Sequence, residues 1–324
     1  MSPFRVRLLF GILCVAAAAS VLAALSFGSY PTTIGDVMAA PFGSADAVVH
    51  DVIWELRAPR ALAAFACGGL LALAGTLLQV LLRNALGDPY VLGVSGGASL
   101  GALLALAAGT GAMAMNLSAL AGAVFAIVVV FGLTYRSGDW NTYRLLLTGV
   151  VLSSGLSALI SLTLVLAPEA QVRGMLFWLM GDLSQTDTAL GAGIALGTLL
   201  VLAIGTGAQL DLLALGELKA RSLGIAVAPL QIFTFLAAAI ATVAAVITGG
   251  AIGFIGLIAP HAIRLTGVAN HRALLPLAVL LGGSLLTIAD TAARTVWSPQ
   301  QLPVGIFTAL IGVPAMLVLL SRRR

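Results

Sequence analysis

The sequence predicts an all-α polytopic membrane protein with about ten transmembrane helices and short amphipathic helices in one connection. Of its 324 residues 60% are hydrophobic and only 9% are charged, and the mean hydropathy is +1.10. A soluble protein would carry about 25% charged residues. Because an open chain in lipid must satisfy its backbone hydrogen bonds within each segment, the spanning segments are expected to be helices.

A helix needs roughly 20 apolar residues to cross a bilayer. Ten stretches approach this length: Leu8–Phe27, Ala61–Leu82, Val91–Ala108, Ala114–Leu133, Leu145–Ala167, Ala189–Gly207, Pro229–Thr248, Ala251–Gly267, Ala273–Thr291 and Val304–Leu320. The eighth is the weakest, because it is short and Pro260 interrupts its hydrogen bonds. The first has features of a signal peptide, since Arg5 and Arg7 precede it. Its length and the nine later stretches favour an uncleaved helix, within one domain covering residues 1–324.

The basic residues predict the orientation. Ten spans place both termini on one side of the membrane, and twelve of the sixteen basic residues then lie on that side: Arg5, Arg7, Arg83, Arg136, Arg144, Lys219, Arg221, Arg264, Arg272 and Arg322–Arg324. The four on the other side are Arg57, Arg60, Arg173 and Arg294. Because cytoplasmic loops carry the excess of basic residues, we expect both termini to be cytoplasmic.

Charge concentrates between the sixth and seventh apolar stretches, in Asp211–Gly224. Its charged side chains are Asp211, Glu217, Lys219 and Arg221, and Lys219 is the only lysine of the chain. Glu217 and Arg221 are four residues apart and would pair on a helix. The leucines expected along one side are Leu212, Leu215 and Leu218. This segment is predicted to form one or two short amphipathic helices at the cytoplasmic surface. A solvated loop is the alternative.

Small residues recur at helical spacing in several of the apolar stretches. The pairs and triplets are Gly93/Gly97/Gly101, Gly193/Gly197 and Gly249/Gly253. Glycines four residues apart allow two helix backbones to approach closely in a membrane. The spacing therefore predicts a compact helical bundle.

Sequence motifs of catalysis and energy supply are missing. The chain has no GxxxxGK[ST] phosphate-binding loop and no HExxH motif. Its two cysteines and three histidines lack metal-site spacing, and its basic residues are too scattered for nucleic acid. Asp290 is the only acidic residue within an apolar stretch, and Arg294 follows four residues later, so an ion pair explains it better than ion-coupled transport. Energy would then come from a partner, or the protein is a passive pore.

Five segments together resemble the permease subunits of ABC importers for iron–siderophores, haem and vitamin B12, the FecCD-type of type II importers. The matching segments are Arg57–Ala98, Phe177–Leu183, Leu215–Gly224, Gly249–Leu265 and Leu302–Leu320. They follow the family's order and spacing from about residue 29 to the C-terminus. One departure is the RNALG of Arg83–Gly87, where the family more often has RNPLA. The stretch Arg83–Pro89 is predicted to be a tight polar connection between the second and third spans, with Gly and Pro fixing its turn.

The resemblance implies a function and a set of partners. The cargo would be a large metal chelate, an iron–siderophore or haem with cobalamin as the alternative, moved from the periplasm across a bacterial inner membrane. The partners would be a second copy of the chain, two cytoplasmic ATPase subunits and a periplasmic substrate-binding protein. The chain itself would bind no cofactor or metal, because ATP and Mg²⁺ belong to the ATPase.

The resemblance also implies three sets of site residues. Those coupling to the ATPase would be Leu215, Gly216, Glu217, Ala220, Arg221, Leu223 and Gly224. Those docking the binding protein would be Arg57, Arg60 and Arg294. Those at the cytoplasmic gate would be Asn84, Ala85, Leu86, Thr148 and Gly149. Two other functions remain open, an ion-coupled carrier acting without an ATPase and a non-transporting membrane scaffold.

Overall fold

The computed structural model describes residues 2–28, 30–39, 46–135, 142–184, 187–298 and 300–321. No β-strand occurs within these ranges. Arg136 and Arg322–Arg324, which the sequence placed among the cytoplasmic basic residues, lie outside them. The secondary structure is therefore helical, as the composition predicts.

The described helices follow one another through short connections. In chain order they are α1 (Pro3–Ser26), α2 (Ile34–Ala39), α3 (Ala47–Asp51), α4 (Ala58–Leu81), α5 (Val94–Ala107), α6 (Ala112–Thr134), α7 (Thr142–Leu166), α8 (Glu169–Leu179), α9 (Ala189–Gly205), α10 (Gly207–Ala214), α11 (Glu217–Ser222), α12 (Val227–Gly249), α13 (Ile255–Leu265), α14 (His271–Thr295) and α15 (Val304–Ser321).

Each predicted apolar stretch falls on one of these helices. Six helical segments of the described chain are long and apolar enough to cross a membrane alone. A seventh span is the pair α9 and α10, which meet at a bend of 64°. The apolar helices α5, α13 and α15 are shorter. The expectation of about ten spans is confirmed, and the short eighth stretch corresponds to α13.

Helix α4 lies at the centre of the bundle, against α9, α12, α13 and α14. Every residue from Ala66 to Leu82 is buried. A Cβ on Gly75 would lie 2.0 Å from the carbonyl oxygen of Gly256 on α13, and one on Gly68 would lie 2.3 Å from that of Gly282 on α14. Two neighbouring helices therefore touch α4 backbone to backbone.

The helix that contains α4 begins earlier than the apolar pattern predicts. Helix α3 continues through a π-helical turn, Val52–Arg57, directly into α4. Pro59 lies in the first turn of α4. A proline cannot donate the N–H that a regular helix needs, and the wider turn just before it accommodates this gap. Arg57 and Arg60, expected in a connection, thus lie on one continuous helix.

Close packing of glycines joins α5 to α6. A Cβ on Gly97 would lie 2.2 Å from the Gly122 oxygen, and one on Gly101 would lie 2.0 Å from the Ser118 oxygen. Gly93 has another role, because its φ of 73° ends the 3₁₀ turn before α5. Only one residue of the predicted Gly249/Gly253 pair is closely packed: a Cβ on Gly249 would lie 2.9 Å from the side chain of Leu183, whereas one on Gly197 or Gly253 would meet nothing within 4 Å. Spacing alone does not show which helix face meets a neighbour.

The bundle has two ends that matter for function. One end is called the α10–α11 face. It is formed by α10, α11, the turn after α4 and the connection from α13 to α14. The opposite end is called the Arg57 face. It is formed by α2, α3, the π-helical turn and the connection from α14 to α15. Helix α1 packs along α14 and carries the chain from the first end to the second.

Replacing Gly122 by alanine should lower the thermal unfolding midpoint of the purified protein. The new methyl would lie 2.0 Å from the Gly97 oxygen, and such overpacking costs about 1–3 kcal/mol. Gly132 of the same helix has nothing within 4 Å of its Cβ position. Gly132→Ala should therefore be neutral or stabilising, since alanine is the better helix former by about 1 kcal/mol. Equal midpoints for the two variants would contradict the close contact.

Candidate functional site

Arg57 is buried at the Arg57 face with only 4% of its surface exposed. Its Nη1 donates to the carbonyl oxygens of Leu25 at 2.7 Å and Ser26 at 3.0 Å, and to the hydroxyl of Thr32. Its Nη2 donates to the Tyr30 carbonyl at 2.6 Å. The last carbonyls of a helix lack donors within the helix and attract a cation. Arg57 thus ties the end of α1 to the start of α4.

Asp290 binds two arginines from two helices, and only 2% of its side chain is exposed. Nη2 of Arg60 lies 2.9 Å and its Nε 3.1 Å from the carboxylate oxygens. Nε of Arg294, four residues along α14, lies 3.2 Å away. The second arginine also donates to the Ala24 carbonyl at 3.2 Å. The predicted pair between Asp290 and Arg294 is confirmed, and Arg60 extends it across to α4.

Two of the three arginines expected to dock the binding protein, Arg57 and Arg294, do not project from the surface. Both are buried, because their guanidinium groups satisfy α1 carbonyls and the Asp290 carboxylate. Arg60 reaches the surface through its Nη1, which donates to Gln301 at 3.0 Å. A cavity of about 390 Å³ opens beside the three arginines. Their part in docking stays a prediction, carried by this cavity rather than by free side chains.

At the opposite end, the predicted short helices are present as α10 and α11, but their leucines do not share one side. Gly216, with a φ of 111°, separates α10 from α11. Leu210 and Leu213 of α10 face the core, whereas Leu215 and Leu218 are 59% and 85% exposed. The exposed apolar side chains here are Leu215, Leu218 and Leu223, called the leucine patch.

Glu217 has different partners from the one predicted. Instead of Arg221 it binds Arg83, at 3.6 Å, and accepts a hydrogen bond from Gln231 at 3.1 Å. Ala220 is fully buried beneath α11. Gly224 follows the C-cap residue Leu223 of α11 and has a φ of 82°, a conformation that glycine favours after a helix. The ion pair between Glu217 and Arg83 thus attaches α11 to the turn after α4.

That turn is a small polar structure held by its own side chains. The amide of Asn84 accepts from Leu86 N–H, and the Asn84 carbonyl accepts from Gly87 N–H, each at 2.9 Å. Asp88 accepts from the Tyr90 N–H at 2.8 Å. Burial raises the pKa of the Asp88 carboxyl to about 6. The predicted tight polar connection is confirmed.

Thr148 and Gly149 lie in the first third of α7. The segment that follows the turn, Pro89–Leu92, packs against this helix. A hydrogen bond joins this segment to α7 further along the helix, where the Ser153 hydroxyl donates to the Tyr90 carbonyl at 3.4 Å. The two halves of the predicted gate are therefore linked through the 3₁₀ turn.

Sequence reasoning missed two polar pairs at the α10–α11 face. Asp211 of α10 accepts from the backbone N–H of His271 at 2.9 Å and binds its Nδ1. Arg264 donates to the side-chain oxygen of Gln79. The sequence feature that could have indicated these four residues is their position, because each lies near the end of a predicted apolar stretch. Their partners are far apart in sequence and could not be read from spacing.

Comparison with known proteins identifies the family to which this chain belongs. Residues 15–322 match the FecCD transport family. The chain belongs to the FecCD transport family. It is 37% identical over 276 residues to the vitamin B12 import system permease protein BtuC of Klebsiella pneumoniae, covering 84% of this chain and 83% of the relative. It is 36% identical over 291 residues to the uncharacterized ABC transporter permease protein YvrB of Bacillus subtilis, covering 87% of this chain and 82% of that one.

A solved structure supports the same fold for this FecCD protein. It is named as an inward-facing conformation of a metal-chelate type ABC transporter, and it superposes with a TM-score of 0.84 at 30% identity. The alignment covers 98% of this chain and 99% of the other. A structure of PsaBC from Streptococcus pneumoniae gives a TM-score of 0.54 at 18% identity, over 80% of this chain and 89% of that one. This second likeness shows the fold alone.

Removing the Asp290 charge should strongly destabilise the protein. Asp290→Asn would leave Arg60 and Arg294 buried without their shared counter-ion, a change that costs about 3–5 kcal/mol. Asp51→Asn removes a carboxylate whose side chain is 74% exposed and should cost less than about 1 kcal/mol. Thermal unfolding of the two variants in the same detergent makes the comparison. A midpoint for Asp290→Asn as high as for Asp51→Asn would show that the cluster contributes little.

Proposed function

We propose that this chain is the permease subunit of an ATP-driven importer for a large metal chelate. The observation that carries the proposal is the leucine patch, which presents three apolar side chains to water on helices tied to the rest of the face. The family match supports the transport class. The names of the relatives point to vitamin B12 and metal chelates, and cobalamin is itself a cobalt chelate. Iron–siderophore, haem and cobalamin thus form one cargo class.

The leucine patch would dock a cytoplasmic ATPase. Burial of a leucine side chain stabilises an interface by about 1.5–3 kcal/mol, so three exposed leucines favour a partner surface. The coupling residues of this proposal are Leu215, Gly216, Glu217, Ala220, Arg221, Leu223 and Gly224, joined by Leu218. Movement of α11 would reach the turn after α4 through Glu217 and Arg83. ATP and Mg²⁺ would bind the ATPase, and this chain would need no cofactor of its own.

The transport pathway would lie between two copies of the chain. Helix α7 is exposed along much of its length and carries three exposed serines, Ser154, Ser157 and Ser161. Small residues such as serine are enriched where membrane helices meet, so a second copy of the chain would pack against this side of α7. Asn84, Ala85, Leu86, Thr148 and Gly149 would form the gate at the cytoplasmic end.

The Arg57 face would receive the substrate-binding protein. Arg60 and Arg294 bind the Asp290 carboxylate, and both line a cavity together with Arg57. This cavity would accept an acidic side chain from a partner. In this orientation the α10–α11 face and both termini are cytoplasmic, and the membrane is the bacterial inner membrane. The excess of basic residues on the α10–α11 face supports it.

Reconstitution in liposomes tests the whole proposal. The permease, an ATPase and a binding protein should together take up a metal chelate only when ATP is supplied to the α10–α11 face. Parallel assays with iron–siderophore, haem and cobalamin identify the cargo. Uptake that continues without any ATPase, driven by an ion gradient, would favour the carrier instead.

Charging the leucine patch should uncouple the transporter. Leu218→Asp places a carboxylate at a position that is 85% exposed, so folding should be unaffected. The affinity for the ATPase should fall by about tenfold or more, because one buried leucine is lost from each copy. Leu218→Met keeps the apolar surface and is the control. Equal affinities, measured by titrating the ATPase onto the reconstituted permease, would show that the patch is not the docking site.

Adding a carboxylate beside the arginines should weaken docking of the binding protein. Gln301 is exposed and already accepts from Arg60, so Gln301→Glu keeps the fold while competing with an acidic partner. Gln300→Glu adds the same charge one residue away. Affinity should fall about tenfold more for Gln301→Glu than for Gln300→Glu, and most at low salt, where screening is least. If both variants bind equally well, the arginines have no docking role.

A further inference from the structure

A cavity of about 420 Å³ opens on the α10–α11 face. It lies between the end of α4, the end of α10 and the connection from α13 to α14. Its polar lining residues are Gln79, Arg83, Asn84, Arg264 and His271. The remaining lining residues are small or apolar, and none of the lining residues is acidic. The size falls within the usual range of ligand pockets.

The lining side chains offer mainly hydrogen-bond donors. The guanidinium groups of Arg83 and Arg264 can only donate. The side-chain oxygens of the two amides are already engaged: Gln79 accepts from Arg264, and Asn84 accepts from the Leu86 N–H. An occupant that accepts hydrogen bonds and carries negative charge therefore suits this cavity.

The carboxylates close to the cavity lie outside its lining. Glu217 binds Arg83, and Asp211 binds Nδ1 of His271. Each therefore positions a basic side chain of the wall from behind. This arrangement orients the basic side chains and leaves the cavity lining free of negative charge. A cation site would require such negative charge.

His271 supplies a second observation that points to a ligand. The residue is 5% exposed, and its Nε2 has no hydrogen-bond partner among the described residues. Its Nδ1 is held by Asp211. A buried polar atom without a partner is unfavourable. A ligand in the cavity would give this Nε2 a partner.

We propose that this cavity binds a phosphate group, carried by an anionic phospholipid or by a soluble phosphate compound. Donors converge from α4 and its turn and from α13, which suits a tetrahedral anion with several acceptor oxygens. Arginine is well matched to phosphate, and basic pockets between membrane helices bind lipid head groups. The proposal depends neither on the cargo nor on which side of the membrane this face occupies.

The test uses the full chain and two probes. Native mass spectrometry counts phosphatidylglycerol molecules retained by the protein during a titration, with phosphatidylcholine as the neutral lipid. Equilibrium dialysis measures binding of radiolabelled inorganic phosphate. Retention of phosphatidylglycerol identifies a lipid as the source, and binding of inorganic phosphate identifies a soluble compound.

Two matched pairs of variants locate the site. Ala269 is exposed and lines the cavity, so Ala269→Glu adds a repelling charge without removing a native contact, and Ala269→Gln is its neutral control. Arg264→Gln removes a lining cation, whereas Arg272→Gln removes an exposed one nearby that does not line the cavity. Affinity for the bound probe should fall about tenfold in Ala269→Glu and Arg264→Gln but stay within about twofold in the controls.

Two results would overturn the proposal. One is that neither phosphatidylglycerol nor inorganic phosphate binds the wild-type chain more tightly than phosphatidylcholine does. The other is that Ala269→Glu and Ala269→Gln bind the probe equally. Because Ala269 is exposed, its variants remain informative even where Arg264→Gln fails to fold.

Discussion

The contact between the backbone of α4 and its neighbours is the constraint on which the bundle depends. Gly68 and Gly75 leave no room for a Cβ, so α13 and α14 approach α4 more closely than any larger side chain would allow. In lipid, where apolar side chains gain little by turning inward, such contacts and internal hydrogen bonds hold helices together. The position of α14 against α4 then decides what lies at its two ends.

Helix α14 connects the two functional ends. His271 at its start binds Asp211 of α10, and Asp290 near its end binds Arg60 of α4. Both are polar links in a chain that has only 9% charged residues, and a buried charge in such surroundings needs a partner. A shift of α10 would therefore be felt at the arginines of the opposite face through a packed helix. This would provide a physical route between the proposed ATPase and the proposed binding protein.

The end of α1 shows how the same cluster fixes the periphery. Its last carbonyls accept hydrogen bonds from Arg57 and Arg294. The family resemblance predicts that these two residues dock the binding protein. Once those donors are engaged internally, an acidic partner meets a cavity lined by arginine rather than projecting charges. The positive charge remains, but its geometry is set by α1. The anchoring of the first helix thus uses residues that are also proposed for docking.

The sequence by itself determined the spans, the polar turn at Asn84 and the pair of Asp290 with Arg294, because each depends on neighbours within a few residues or on the thickness of a membrane. Only the tertiary structure decided that Glu217 pairs with Arg83, that Arg57 is buried, and that Gly97 but not Gly197 touches another helix. Those outcomes depend on which helix faces meet. Helix periodicity specifies a face, but its partner is fixed by the packing of the whole bundle.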